Sequence, residues 1–147
     1  MTALQNFKIR WLSRARSTEQ QISAIQAVQK YDFLLMEKLN HCQNPSACSL
    51  SDYLESRQKE IFLKLTALAQ IREEIRCSIE QVQNPEFRCL LLRKYLAYET
   101  NEQIAEAMHY DIRTIQRKHK KALDEISVPS EVSISETTIF RNISCEN

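Results

Sequence analysis

Apolar residues recur at helical spacing through most of the chain up to Ile126. From Ala3 to Ala15 the stripe is Leu4, Phe7, Trp11, Leu12 and Ala15, with Lys8, Arg10, Arg14 and Arg16 on other faces or just beyond. Ser17 or Thr18 is read as restarting the helix, with Glu19-Gln20-Gln21 in its first turn. Ile22, Ile25, Val28, Leu35, Met36 and Leu39 carry the pattern to about Cys42. The stretch from Gln43 to Ser51 (QNPSACSLS) reads as a loop broken by Pro45. A second long helix is predicted from about Asp52 to Gln83. Leu54, Gln58, Ile61, Leu65, Leu68, Arg72, Ile75, Ile79 and Val82 follow steps of four and three along it, as a heptad seam does. The two long helices are expected to pack as an antiparallel hairpin. The heptads alone leave open whether the seam is filled within the chain or by a second copy.

Asn84-Pro85 ends this helix and opens the next, with proline at the first helical position. Residues 85–97 are apolar on more than one face: Phe87, Leu90, Leu91 and Tyr95 on one side, Cys89, Leu92 and Leu96 on another. Such a helix is expected to be buried between the hairpin and the segment that follows. In that segment Thr100 and Gln103 match a capping box, and Ile104, Ala105 and Met108 share one face. His109-Tyr110-Asp111 breaks the pattern, with His109 where many comparable turns need a positive φ and hold glycine. Asp111 suits the N-cap of a further helix, along which Ile115, His119, Ala122, Leu123 and Ile126 share one side. The other side carries Arg113, Thr114, Gln116, Arg117, Lys120 and Lys121. Two crossing helices with a basic outer face are the plan of a helix-turn-helix. The expected fold is therefore all-α: an N-terminal coiled-coil-like hairpin over 1–84, a three-helix helix-turn-helix domain over 85–126, and a flexible tail rich in Ser, Thr and Glu over 127–147.

Composition sharpens this picture. The chain has 147 residues, no glycine and only three prolines, which argues against a sheet-rich fold with tight turns. A net charge of +1 excludes a globally basic protein, so nucleic-acid binding would have to come from local clustering. Ile112 to Lys121 holds five Arg or Lys and no acid, and Met1 to Arg16 holds four. On the recognition helix of such a motif the N-terminal part reaches base edges. That makes Arg113, Thr114, Gln116 and Arg117 candidate readers of double-stranded DNA. Lys118, Lys120 and Lys121 lie where the helix leaves the groove, and with Thr100 at the start of the preceding helix they are candidate phosphate contacts.

The five cysteines form no CxxC pair, which fits a reduced, cytoplasmic setting. His41, Cys42 and Cys48 match no zinc spacing, so no metal or cofactor is expected. His41, His109 and His119 show no pairing with a nucleophile or carboxylate set, and there is no phosphate-binding glycine loop, so no enzymatic activity is expected. No secretory signal or membrane-spanning run is apparent. The seam and the N-terminal stripe leave apolar surface that fits a homodimer.

The residues SRARSTEQQISAI (Ser13 to Ile25), the helix from Pro85 to Ala97, and the run RKYLAYETNEQIAEAMHYDIRTIQRKHKKAL resemble a phage and prophage family of Gram-positive bacteria. Its members are small helical proteins whose C-terminal domain is similar to region 4 of sigma-70 factors, overlapping the RinA- and ArpU-like regulators of phage late genes. The resemblance spans most of the chain up to Ile126 and is most specific in the C-terminal run. It implies a transcriptional regulator that binds promoter DNA alongside host RNA polymerase. It also implies that Ile112, Arg113 and Arg117 occupy base-facing positions, with Lys121, Ala122 and Leu123 matching the closing KAL of region 4. Ile112 stands in place of a polar reader and Arg113 in place of an acidic one, which points away from the usual −35 hexamer. Nothing resembles the core-binding region 2 of a complete sigma factor. Two other readings compete with a sequence-specific regulator. One is a helical module that binds polymerase or a phage protein without reading DNA. The other is a small-terminase-like DNA-packaging protein.

Overall fold

The computed structural model describes residues 1–41 and 47–129; for 39–41 and 47–50 it describes the backbone only. All regular structure among the described residues is helical: α1 (Ala3–Leu12), α2 (Arg14–His41), α3 (Ala47–Glu80), α4 (Pro85–Tyr95), α5 (Asn101–Met108) and α6 (Ile112–Glu125). No described helix is long and apolar enough to cross a membrane. The tail beyond Pro129, and the loop residues 43–46, lie outside the described residues.

The chain forms two compact units. One comprises Met1–Leu12 and the chain from Glu74 onward; the other is Ser13–Glu73. Neither border falls at residue 84, where the apolar pattern alone suggests a division. The reason lies in α1, which packs against α6, and in the last turns of α3, whose Ile75, Ile79 and Val82 are buried.

In the unit that contains α6, local sequence determines each start and stop. Asn84 caps α4 by accepting from the Glu86 N–H at 2.9 Å, with Pro85 at the first helical position. Thr100 and Gln103 form the expected capping box on α5. His109 ends α5 in the left-handed region at φ 58, and Tyr110 N–H closes the turn onto the Ala105 carbonyl at 3.0 Å. Tyr98 adopts the same positive φ between α4 and α5, which the pattern did not anticipate. Helices α4, α5 and α6 pack on one another around Leu90, Ile104, Ala105 and Ile115, with Met108 at the margin. Small Ala105 sits in that cluster, where a larger side chain would hold α5 and α6 apart. Helix α4 is not buried all round: Leu90, Leu91 and Tyr95 face the core, while Cys89 is exposed.

Helix α1 turns a different face inward from the one its apolar stripe suggests. Gln5, Lys8, Trp11 and Leu12 are buried, whereas Leu4 is 62% exposed and Phe7 38%. The cause is hydrogen bonding. Lys8 Nζ donates to the Leu123 carbonyl at 2.7 Å, one of the α6 C-terminal carbonyls that lack an intrahelical donor. Gln5 Nε2 donates to Asp124 at 2.8 Å, while Gln5 and Thr2 form a second capping box at the start of α1.

In the unit from Ser13 to Glu73, the helix break falls at Ser13, not at Ser17 or Thr18. Ser17 N–H bonds back to the Ser13 carbonyl, and the Thr18 hydroxyl donates to the Arg14 carbonyl at 2.9 Å, so neither acts as a cap. Helix α3 begins at Ala47, so 47–51 of the expected loop are helical. Along α2 and α3, Ala15, Ile22, Leu54, Ile61 and Ile71 are buried, and the facing sides of the two helices line an open groove of about 540 Å3. The expected seam is only partly occupied. Gln58 and Leu65 are exposed, the latter by 43%, and Ile71, which lies off the seam, is buried instead. Heptad spacing states which residues align along a helix, not which of them meet a neighbour.

Candidate nucleic-acid interface

The site is built on α6. Its inner side is fully committed: Ile115, Ala122, Leu123 and Ile126 are buried, and so is His119. The Tyr95 hydroxyl lies 2.7 Å from His119 Nε2 and donates to it when Nδ1 carries the ring proton. Burial pushes the His119 imidazole down to about 4, helped by the positive charge of Lys94, and raises the Tyr95 phenol. His119 is thus a neutral core residue joining α4 to α6.

The C-terminus of α6 is tied to other elements, and its N-terminus is capped by its own Asp111. At its C-terminus, Lys8 holds the Leu123 carbonyl, and the Glu125 carboxylate accepts from the backbone N–H groups of Gln83 and Asn84 at 2.9 and 3.1 Å. At its N-terminus the Asp111 side chain accepts from Thr114 N–H at 2.5 Å. Bonds from Thr114 hold the Asp111 carboxyl below its usual range. Midway, Glu86 on α4 accepts from Lys118 Nζ at 2.6 Å and from the Tyr110 hydroxyl, while Lys118 Nζ lies 4.5 Å from the Tyr110 ring centroid. The bond from Lys118, then that from Tyr110, keeps the Glu86 carboxyl below its usual range; the same pairing raises Lys118. This acid, ammonium and ring join α4, the α5–α6 turn and α6.

The outer side of α6 presents Arg113, Gln116, Arg117 and Lys120 at steps of three, one and three, with Lys121 beside them; all are exposed. These residues share a single ridge. Arg117 donates to the Thr114 hydroxyl oxygen at 3.2 Å, which aligns it along the helix. Arg113, Lys120 and Lys121 make no ion pair among the described residues. Thr114 is half-buried beside the cap, and Ile112 is 41% exposed at the helix start.

Two of the expected phosphate contacts are placed otherwise. Lys118 is bound to Glu86 and only partly accessible, so it is not a free surface cation. Thr100 is engaged in the capping box, and bonds from the Glu102 N–H and the Thr100 hydroxyl hold the Glu102 carboxyl below its usual range. The N-terminus of α5 therefore already carries its own carboxylate. The pattern missed Gln5, Lys8, Glu86 and Glu125, the side chains that fix α6 in place. Only the Thr2-x-x-Gln5 spacing, the same capping signature as Thr100-x-x-Gln103, was there to find.

Among the described residues no cluster of His, Cys, Asp and Glu could hold a metal ion; the side chains of His41, Cys42 and Cys48 lie outside them. Cys77 and Cys89 are exposed and not joined in disulfides. No protein-family model matches the chain, and no curated protein and no solved structure is significantly similar to it.

Proposed function

We propose that this chain is a sequence-specific DNA-binding regulator of transcription in a bacterial cell, with α5 and α6 as a helix-turn-helix carried by a hairpin of α2 and α3. One observation carries the reading: a chain of net charge +1 concentrates an acid-free ridge of Arg113, Gln116, Arg117, Lys120 and Lys121 on the outer side of a helix held to other elements at its C-terminus through Lys8 and Glu125 and midway through Glu86. A rigid helix presents its side chains in one register, which base reading requires and diffuse charge attraction does not. Arginine can pair bidentately with guanine and glutamine with adenine. In this reading Arg113, Gln116 and Arg117 meet base edges and Lys120 and Lys121 meet phosphate, with Lys118 reserved for Glu86. In the same reading Ile112 contacts a thymine methyl. The resemblance to sigma region 4 adds RNA polymerase as a second partner.

The test is selection of binding sites from random duplex DNA, followed by titration of the selected and scrambled duplexes across a salt series. Recovery of a consensus, with tighter binding to it than to the scrambled duplex at every salt concentration, is expected. Equal binding to both would leave only electrostatic attraction. Absence of binding to either, with polymerase retained on an affinity column, would replace the proposal with a protein-interaction module.

A further inference from the structure

Three side chains at steps of three, Asp111, Thr114 and Arg117, are linked in series at the start of α6. Thr114 stands in the middle and is half-buried, while Asp111 and Arg117 are exposed. The Asp111 carboxylate accepts from the Thr114 hydroxyl and from the Thr114 N–H, the latter at 2.5 Å. The same hydroxyl oxygen accepts from Arg117 Nη2 at 3.2 Å. Chemistry fixes the direction of both bonds, because a carboxylate only accepts and a guanidinium only donates. The single hydroxyl proton is thus given to Asp111, and the Thr114 side chain has no donor left for a phosphate oxygen.

We propose that Thr114 is a positioning residue: it sets the place of the Arg117 guanidinium, and through it the base preference of α6, without touching DNA itself. This rests on the reading of α6 as a recognition helix.

Three arguments support the role. The first is direction. Side chains on a helix lean toward its N-terminus. The bond to Thr114 therefore holds the guanidinium beside the first turn, the part of a recognition helix that reaches base edges. The second is charge. Arg113 stands four residues before Arg117, and like charges at that spacing repel. The bond from Thr114 and the opposite charge of Asp111 hold Arg117 in place against that repulsion. The third is donor supply. The bond uses a single N–H of the guanidinium, which leaves enough donors for a bidentate pair with guanine. An arginine already ordered in the free protein has less rotamer freedom to lose when it binds.

Thr114→Val, of the same shape but without the hydroxyl, and Thr114→Ser, which retains it, test this on the full chain. Nitrogen-15 relaxation at Arg117 Nε reads the order of the side chain in the free protein. Titration reads base preference, with the selected duplex, a scrambled duplex, and one altered at the base pair whose preference Arg117→Ala abolishes. Thr114→Val is expected to mobilise Arg117 and to lower the preference at that base pair roughly two- to tenfold, the cost of immobilising one rotamer-rich side chain on binding. The salt slope, the binding of the scrambled duplex and the circular dichroism should match the wild type. Thr114→Ser should restore both the order and the preference. Added to Arg117→Ala, Thr114→Val should change nothing further, since no arginine remains to position. Arg117 equally mobile in the wild type and Thr114→Val, an unchanged preference in Thr114→Val, a Thr114→Ser variant that restores neither, or a further loss in the double variant would each overturn the assignment. Equal binding of all three duplexes by the wild type would overturn the DNA reading itself, and this inference with it; that outcome is seen without any variant.

Discussion

Lowering the pH should destabilise the unit that holds α6 through one residue, His119. Its ring is buried and neutral beside Tyr95, and burial lowers it to about 4, against 6.5 for a free imidazole. In the unfolded chain the ring takes up a proton as the pH falls below 6.5, while in the folded chain it does not until about 4. The stability held in the neutral ring is thus complete above pH 6.5 and lost progressively as the pH falls through that window. The difference amounts to about 3 kcal/mol, at about 1.4 kcal/mol for each pH unit. Trp11 is the single tryptophan of the chain, is buried, and belongs to the same compact unit. Urea unfolding followed by its fluorescence therefore reports on this unit directly. His119→Gln retains an acceptor for the Tyr95 hydroxyl but cannot titrate, so its stability should fall less steeply between pH 6.5 and about 4.5. Identical pH slopes for wild type and His119→Gln would refute the assignment of the neutral buried ring.

Two further outcomes follow from the packing. Ile75→Asp places a carboxylate at a fully buried position and should cost about 3–5 kcal/mol, whereas Leu65→Asp, at a site 43% exposed, should cost less than about 1; chemical denaturation that ranks them equally would contradict the burial of α3. Glu86→Gln removes the carboxylate that holds Lys118, so the ammonium becomes available to phosphate; DNA affinity should rise and the salt slope steepen by about one, and an unchanged slope would show that Lys118 cannot reach the backbone.

The helices of the C-terminal third were legible because their signals are local. Asn84, Thr100 and Asp111 each bond to an N–H within three residues, and the stripe from Ile115 to Ile126 buries as its spacing implies. His109 was legible as the left-handed turn residue because histidine accepts that geometry better than most residues where glycine is missing. The faces of α1 and α3 were not legible, for two different reasons. On α1 the inward residues are Gln5 and Lys8, chosen by acceptors more than a hundred positions away, which no apolar periodicity encodes. On α3, Leu65 satisfies the heptad spacing but remains exposed, because spacing contains no information about a partner. Within the candidate site the exposed ridge could be read from sequence. That Lys118 is withdrawn from it could not, since the decisive acid, Glu86, stands on a different helix.

The central claim is that α6 separates reading from holding, and one salt series on variants tests it most directly. Binding of the selected duplex and a scrambled duplex is measured for the wild type, for Arg117→Ala, and for Lys120→Ala combined with Lys121→Ala. Arg117→Ala is expected to weaken the selected duplex by about 1–3 kcal/mol, to spare the scrambled one, and to relax preference at one base position. The double lysine variant is expected to weaken both duplexes alike and to reduce the salt slope by about one to two. An equal loss on both duplexes for Arg117→Ala, or unchanged binding by every variant, would contradict the account.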